Sequence, residues 1–433
     1  MRILHLVPGS GGTFYCQNCL RDRALVRALR RHGHDVIMAP LYLPMCGGDA
    51  ATDTDAPIFF GGINVYLREK VPLFRHFPGW AGRLLDAPWM LRRASKKEGS
   101  TSAADLGPMT LSMLNGRDGN QGREFDRLLE WVSGQDRPDI VHVSNALLLG
   151  LAPALREATG AAVVCSLQDE EPWVDAMRPP FDRLVWEAMS RLAESVDAFA
   201  ATSQWYADRM IGRMRLDPVR VRVVPPGVEL SSGGAPPPVP LLPPTLGYLS
   251  RINPSLGFDT LLEAFLILRR EPSFATLRLS ATGGVTPADR PYVAGVKRML
   301  EERRLMGAVD INESFHSVPG DEFFGDITVL ASPTPGGEAF GMQLLEAMSR
   351  GIPVVQPRVG SYPEILRAGG GVLYEPNDAE GLAAALRELF ADTKRITELG
   401  REAHAAVLAH FSMDRMVRDT LELYASVRPE AAP

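Results

Sequence analysis

Glu338 and Glu346 stand eight residues apart in the run Glu338-Ala-Phe-Gly-Met-Gln-Leu-Leu-Glu346-Ala-Met-Ser-Arg-Gly-Ile-Pro-Val354. A strand-like stretch from Ile327 to Ala331 and a Pro/Gly loop, 332–337, lead into it. The pattern predicts a helix from near Phe340 to Gly351. The first carboxylate then falls at a helix N-terminus, where unbonded backbone N–H groups gather and hold oxygen atoms. The second lies two turns further in. The mouth of a strand–loop–helix unit faces the crevice where open α/β sheets bind ligands. Two acidic acceptors at such a mouth suit a ligand rich in hydroxyls. The plainer reading makes Glu338 a helix-terminal charge and Glu346 a solvated side chain.

Other residues could also carry chemistry. Gly9-Ser10-Gly11-Gly12 lies between a strand and a helix. Glycines there let N–H groups approach a phosphate, although any tight strand-to-helix turn can need them. The full Gly-x-Gly-x-x-Gly spacing of a nicotinamide site is missing. Cys16, Cys19 and Cys46 would share a sheet edge if the first two strands are neighbours. Three thiolates and a histidine can hold zinc, but a single C-x2-C fits ordinary packing as well. Asp169, Glu170 and Glu171 form an acidic run that suits either acceptor hydroxyls or the start of a helix. His142, within an apolar strand, reads as structural.

These residues need a scaffold. With 433 residues the chain is long enough for two or three domains. It is 45% hydrophobic and 23% charged, as ordinary globular proteins are. A net charge of −6 argues against broad nucleic-acid binding. Four cysteines do not make a disulfide framework. The opening run Met1 to Gly9 reads as a first strand rather than a signal peptide, and nothing is apolar for long enough to span a bilayer. The expected compartment is the cytoplasm.

Strand and helix patterns alternate throughout, which predicts an α/β fold with parallel sheets. The expected strands of the first half are 2–7, 35–40, 139–143, 161–167, 198–202 and 221–224. Residues 231–244, rich in proline and lacking periodicity, read as a linker. The second half is expected to have strands at 246–251, 277–281, 309–311, 327–331 and 354–356, with a last helix near 414–426. The stretch 43–120 is too long for a plain loop and is expected to contain helices.

Glu338-Ala-Phe-Gly, Leu345-Glu346-Ala-Met and Gly351-Ile-Pro-Val354 together resemble the donor-site signature of retaining glycosyltransferases of family 4. The resemblance implies the GT-B fold, in which two Rossmann-like domains face each other across a cleft. The expected division is 1–230 for the acceptor-side domain, 231–244 for the linker and 245–411 for the donor domain. Helix 412–433 is expected to pack back on the first domain. The implied activity is transfer of a sugar from a nucleotide-diphosphate sugar to an acceptor, with the nucleotide-sugar as co-substrate and no cofactor required. The acceptor would be a carbohydrate, a lipid-linked molecule or a small molecule. Peripheral membrane contact is compatible with this, because many such transferases use lipid-linked acceptors.

The resemblance gives the ribose to Glu346 and the sugar to Glu338 with the N–H groups of Ala339, Phe340 and Gly341. It gives the diphosphate to Gly11, Gly12 and Arg251. Two positions depart from the family pattern. Leu256 stands where a lysine normally accompanies Arg251, removing one cation from the diphosphate clamp. Gln168 stands where many relatives have a histidine near the reacting carbon; it can hydrogen-bond but not titrate. These departures motivate an alternative, a nucleotide-sugar-binding protein with little or no transferase activity.

Overall fold

The computed structural model describes residues 1–9, 14–42, 59–60, 103–229, 239–314 and 320–428. The chain divides into two compact units. One comprises Met1–Gly11, Asn18–Pro225 and Met416–Pro433; the other comprises Gly12–Gln17 and Pro226–Arg415. Most of the stretch 43–120 and of the linker, together with Gly11, Gly12 and Cys46, lies outside the described residues.

The first unit is built on β1 (Arg2–Val7), β2 (Asp35–Pro40), β3 (Ile140–Val143), β4 (Ala162–Leu167), β5 (Ala198–Ala201) and β6 (Val221–Val223). Their order is β2-β1-β3-β4-β5-β6, every pairing parallel. All of β3 and β4 is buried, as expected of strands covered by helices on both faces. The helix Gln17–Arg31 buries Arg21, Asp22, Leu25, Val26, Ala28 and Leu29. That spacing is one helical stripe, so the apolar face carries a charged pair into the interior along with its leucines.

The second unit repeats the architecture with β7 (Thr245–Leu249), β8 (Arg278–Thr282), β9 (Val309–Ile311), β10 (Val329–Leu330), β11 (Val354–Pro357) and β12 (Gly371–Tyr374). The order is β12-β11-β10-β7-β8-β9, again parallel. Its core packs Leu246, Tyr248, Phe258, Leu261, Phe265 and Leu386 between sheet and helices. Two doubly wound parallel sheets make the fold α/β, as the alternating strand and helix patterns predict. β12 was not anticipated, because Gly371-Val-Leu-Tyr374 is short and follows two further glycines. The helix Met413–Val427 places Tyr424 against His142 inside the first unit. No described helix is long and apolar enough to cross a membrane.

Candidate functional site

β10 ends at Leu330, and the chain then turns through Ser332–Gly337 before the helix Met342–Ser349. That helix is shorter than the sequence pattern predicts. Gly341 precedes it with φ −158°, and its carbonyl accepts the first helical bond, from Leu344 N at 3.0 Å. Glu338 therefore lies in the loop, four residues before the first helical residue, and not at the helix N-terminus. Glu346 lies within the helix and is half-buried.

The loop is held tightly. Gly337 N–H donates to the Thr334 carbonyl at 3.0 Å, closing a turn. Ser361 N–H donates to the Glu338 carbonyl at 3.2 Å. Gly337 and Gly360 take φ +74° and +62°, and the loops touch through them. A Cβ on Gly337 would meet Gly360 Cα at 2.5 Å, and one on Gly360 would meet Glu338 N at 2.8 Å. Only glycine meets both demands, the left-handed backbone and the missing side chain.

Within this frame the Glu338 carboxylate is 5% exposed. Its Oε1 accepts from the Thr334 hydroxyl at 2.7 Å. Its Oε2 accepts from the Gln343 amide at 2.9 Å and from the Gln17 amide at 3.2 Å. Among the described residues, three neutral donors thus stand where water would around a desolvated carboxylate. Ala339 and Phe340 are buried beside it, with Phe340 packed edge-on against Phe411. Glu346 Oε1 accepts from the Tyr15 hydroxyl at 2.9 Å. Burial pushes the Glu346 carboxyl above its ordinary range, against the opposing pull of the Tyr15 hydrogen bond and of Arg350. Burial likewise pushes the Tyr15 phenol well up, helped by the charge of Glu346.

Arg251 follows β7 and belongs to the same unit. Its Nε lies 3.4 Å from Asp289 Oδ2. Asp289 is itself buried and accepts from the Thr286 hydroxyl at 2.6 Å and from Asn253. The guanidinium therefore has a fixed anchor while remaining about one third exposed. Its carbon lies 5.8 Å from the centre of the Phe14 ring. Leu256 closes the 3₁₀ turn Pro254–Leu256 and is half-buried. Arg358, another cation of this unit, is more than half exposed and paired with Glu375 at 3.1 Å.

The structure thus brings Arg251, Glu338, Ala339, Phe340, Gly341 and Glu346 into one unit. Gln168 belongs to the other, at the end of β4. Its amide Nε2 donates to the Ser144 carbonyl and lies 3.5 Å from Asp22 Oδ2. Its buried Oε1 has no hydrogen-bond partner among the described residues. Around it lies a polar cluster inside the first unit. Arg21 Nη2 is 3.3 Å from Asp22 Oδ1 and donates to Ser166 Oγ at 2.7 Å. His142 lies between Ser166 Oγ at 2.8 Å and the Tyr424 hydroxyl at 2.5 Å. A neutral imidazole fits, donating on one side and accepting on the other. Burial, with His5 and Arg21 nearby, pushes His142 well below the usual histidine range.

The acidic run takes its structural reading. Glu170 and Glu171 open the short helix Glu170–Asp175. Glu170 accepts from Ala146 N–H, Gln168 N–H and the Tyr206 hydroxyl, and Glu171 pairs with Arg209. Among the described residues no group of three or more His, Cys, Asp or Glu is placed to hold a metal ion. Cys16 and Cys19 are half-buried, and the third thiol of that trio, Cys46, is outside the described residues. Sequence reasoning missed Tyr15 and Gln17, which follow the glycine loop closely, and Thr334 and Gln343, which flank Glu338. The only signal was proximity to motifs already noted.

Residues 21–227 match the family described as a glycosyl transferase 4-like domain, and residues 237–405 match the glycosyl transferases group 1. The D-inositol 3-phosphate glycosyltransferase of Salinispora tropica is 30% identical over 270 residues, 57% of this chain and 54% of that protein. The match spans little more than half of that relative's length. The sucrose-phosphate synthase of Thermosynechococcus elongatus superposes with a TM-score of 0.70 at 17% identity, over 98% of this chain and 99% of that one. HepE of Anabaena, solved in complex with UDP-glucose, superposes with a TM-score of 0.67 at 15% identity, over 98% of this chain and 100% of that one. At these identities the structural likeness is one of fold. With both halves matched to consecutive glycosyltransferase families on this fold, the chain belongs to the GT-B glycosyltransferases.

Proposed function

We propose that the protein is a retaining glycosyltransferase that moves a sugar from a nucleotide-diphosphate sugar to an acceptor hydroxyl. The observation that carries this is Glu338, buried in a tightly held loop and accepting from three neutral donors among the described residues. Sugar hydroxyls can exchange with such donors bond for bond. Glu346 would accept from the ribose, and Arg251, braced by Asp289, would face the diphosphate. The N–H groups of Ala339, Phe340 and Gly341 would complete the sugar site. Gly11 and Gly12 remain candidates for the phosphates by resemblance alone. Gln168 remains a candidate for the position near the reacting carbon by resemblance alone.

In the proposed step the bond from the anomeric carbon to the phosphate oxygen breaks, and its electron pair leaves with the nucleoside diphosphate. The acceptor oxygen attacks from the same face. Its proton passes to the departing phosphate oxygen, so no titrating side chain is required at the position of Gln168. Arg251 stabilises the charge that develops on the leaving group. The reaction as written needs no cofactor.

The ligands in the complexes of HepE, UDP with glucose and UDP-glucose, make uridine nucleotides the first probes. The test is binding and slow hydrolysis across UDP-, GDP-, ADP- and TDP-sugars. Binding with sugar release for one donor supports transfer. Tight binding without turnover, even with mixed acceptors, supports instead a nucleotide-sugar-binding protein, the alternative that Leu256 and Gln168 motivate. Absence of binding to every donor overturns both.

A further inference from the structure

Four consecutive residues, Phe14 to Gln17, group with the second unit although they precede it by more than two hundred positions. They engage its candidate donor site at Arg251, Glu346 and Glu338. Phe14 forms an antiparallel bridge with Gly284, and Tyr15 N–H donates to the Gly283 carbonyl at 2.7 Å. The Phe14 ring lies beside the Arg251 guanidinium. The Tyr15 hydroxyl donates to Glu346. The Gln17 amide donates to Glu338 and accepts from Met342 N–H at 3.2 Å.

These bonds reproduce those expected of a donor. A hydroxyl donating to Glu346 is what a ribose would supply. A neutral N–H on Glu338 stands where a sugar hydroxyl would donate. The Phe14 ring lies on the side chain assigned to the diphosphate, 5.8 Å from the Arg251 guanidinium carbon. Tyr15 is 5% exposed, so the segment fills space as well as bonding positions.

Resting on the function proposed above, we infer that Phe14–Gln17 is an intrachain strap occupying the donor site, and that a nucleotide-sugar binds by displacing it. Tyr15 and Gln17 therefore set donor affinity by competing for Glu346 and Glu338. The fraction of molecules with the strap out scales the apparent affinity, so loosening the strap tightens binding without any new contact to the ligand. A residue that merely touched the donor would act with the opposite sign.

The test is calorimetry with UDP, GDP and ADP on the full chain, comparing wild type with Tyr15→Phe and Gln17→Ala. Tyr15→Phe keeps the ring and removes one hydroxyl–carboxylate hydrogen bond. The expected result is a Kd lowered by about tenfold for the nucleotide that binds. Hydrogen exchange gives an independent reading: the Tyr15 amide, bonded to Gly283, should lose protection when the nucleotide saturates. Weaker or unchanged binding in Tyr15→Phe, or unchanged protection, overturns the strap. Absence of binding to wild type and to both variants overturns the transferase reading itself. That outcome is distinct from wild-type binding that the variants fail to tighten.

Discussion

Two of the carboxylates buried among the described residues, Glu338 and Asp22, are supported in different ways. In the second unit Glu338 is surrounded by the neutral donors Thr334, Gln343 and Gln17. In the first, Asp22 lies beside Arg21 of its own helix and within 3.7 Å of His5. Burial alone would raise the Asp22 carboxyl, but Arg21 and His5 outweigh it and hold the group below its ordinary range. Neutral donors can be exchanged for ligand hydroxyls with little change in charge. A charge pair that the fold carries inside on a helical stripe cannot be opened so cheaply. On the function proposed above, the difference separates a carboxylate whose donors a ligand can replace from a charge pair that holds its unit together.

The largest expected effect tests the structural side of this contrast. Arg21→Met leaves Asp22 buried beside His5 without its guanidinium. Urea unfolding should show a loss of about 3–5 kcal/mol. A loss below about 1 kcal/mol would mean that Asp22 is not held by its charge partner, and the contrast would fail.

Glu338→Ala should behave in the reverse manner. Initial rates with the active donor should fall by about 100-fold or more, comparable to removing one transition-state contact. The stability cost should stay within about 1–3 kcal/mol, that of leaving buried donors unsatisfied. Retained turnover would remove Glu338 from the site.

Leu256→Lys sharpens the reading of the second unit. Restoring a cation near Arg251 should improve donor affinity or turnover by about tenfold, or ~1.4 kcal/mol. Unchanged kinetics would mean that other groups already balance the diphosphate.

The smallest effect concerns His142. Its folded-state pKa lies below the unfolded value near 6.5. In that window the unfolded chain binds a proton that the folded chain does not, so stability is fully present above about pH 6.5 and is lost as pH falls toward the folded value. Urea midpoints between pH 5 and 8 should show this slope, and His142→Gln should flatten it. An unaltered slope in the variant would assign the proton to another group.

Both sheets were largely legible in the sequence, because parallel strands covered on both faces appear as short apolar runs. Val309–Ile311 agrees with its expected bounds, and β7 differs only at its ends. β10 is shorter than the run 327–331 suggested, and β12 was missed, because strand ends depend on pairing partners more than on local hydrophobicity. The carboxylate pair was visible as a spacing, yet the helix start was placed two residues early. Periodicity reports which face is buried and says little about the turn at which a helix begins.

By itself the sequence determined the parallel α/β class, the positions of most strands, and the acidic pair as residues to examine. Those follow from local patterns, which the chain carries in neighbouring residues; Arg251 came from the family resemblance. Only the tertiary structure decided that Tyr15 meets Glu346 across 331 positions, that Gln17 meets Glu338, and that His142 meets Tyr424 across 282. It also decided that Arg21 and Asp22 lie inside. The physical reason is that a polar side chain finds its partner through packing. Any of several donors along the chain could satisfy the same carboxylate, and only the close-packed arrangement selects which one does.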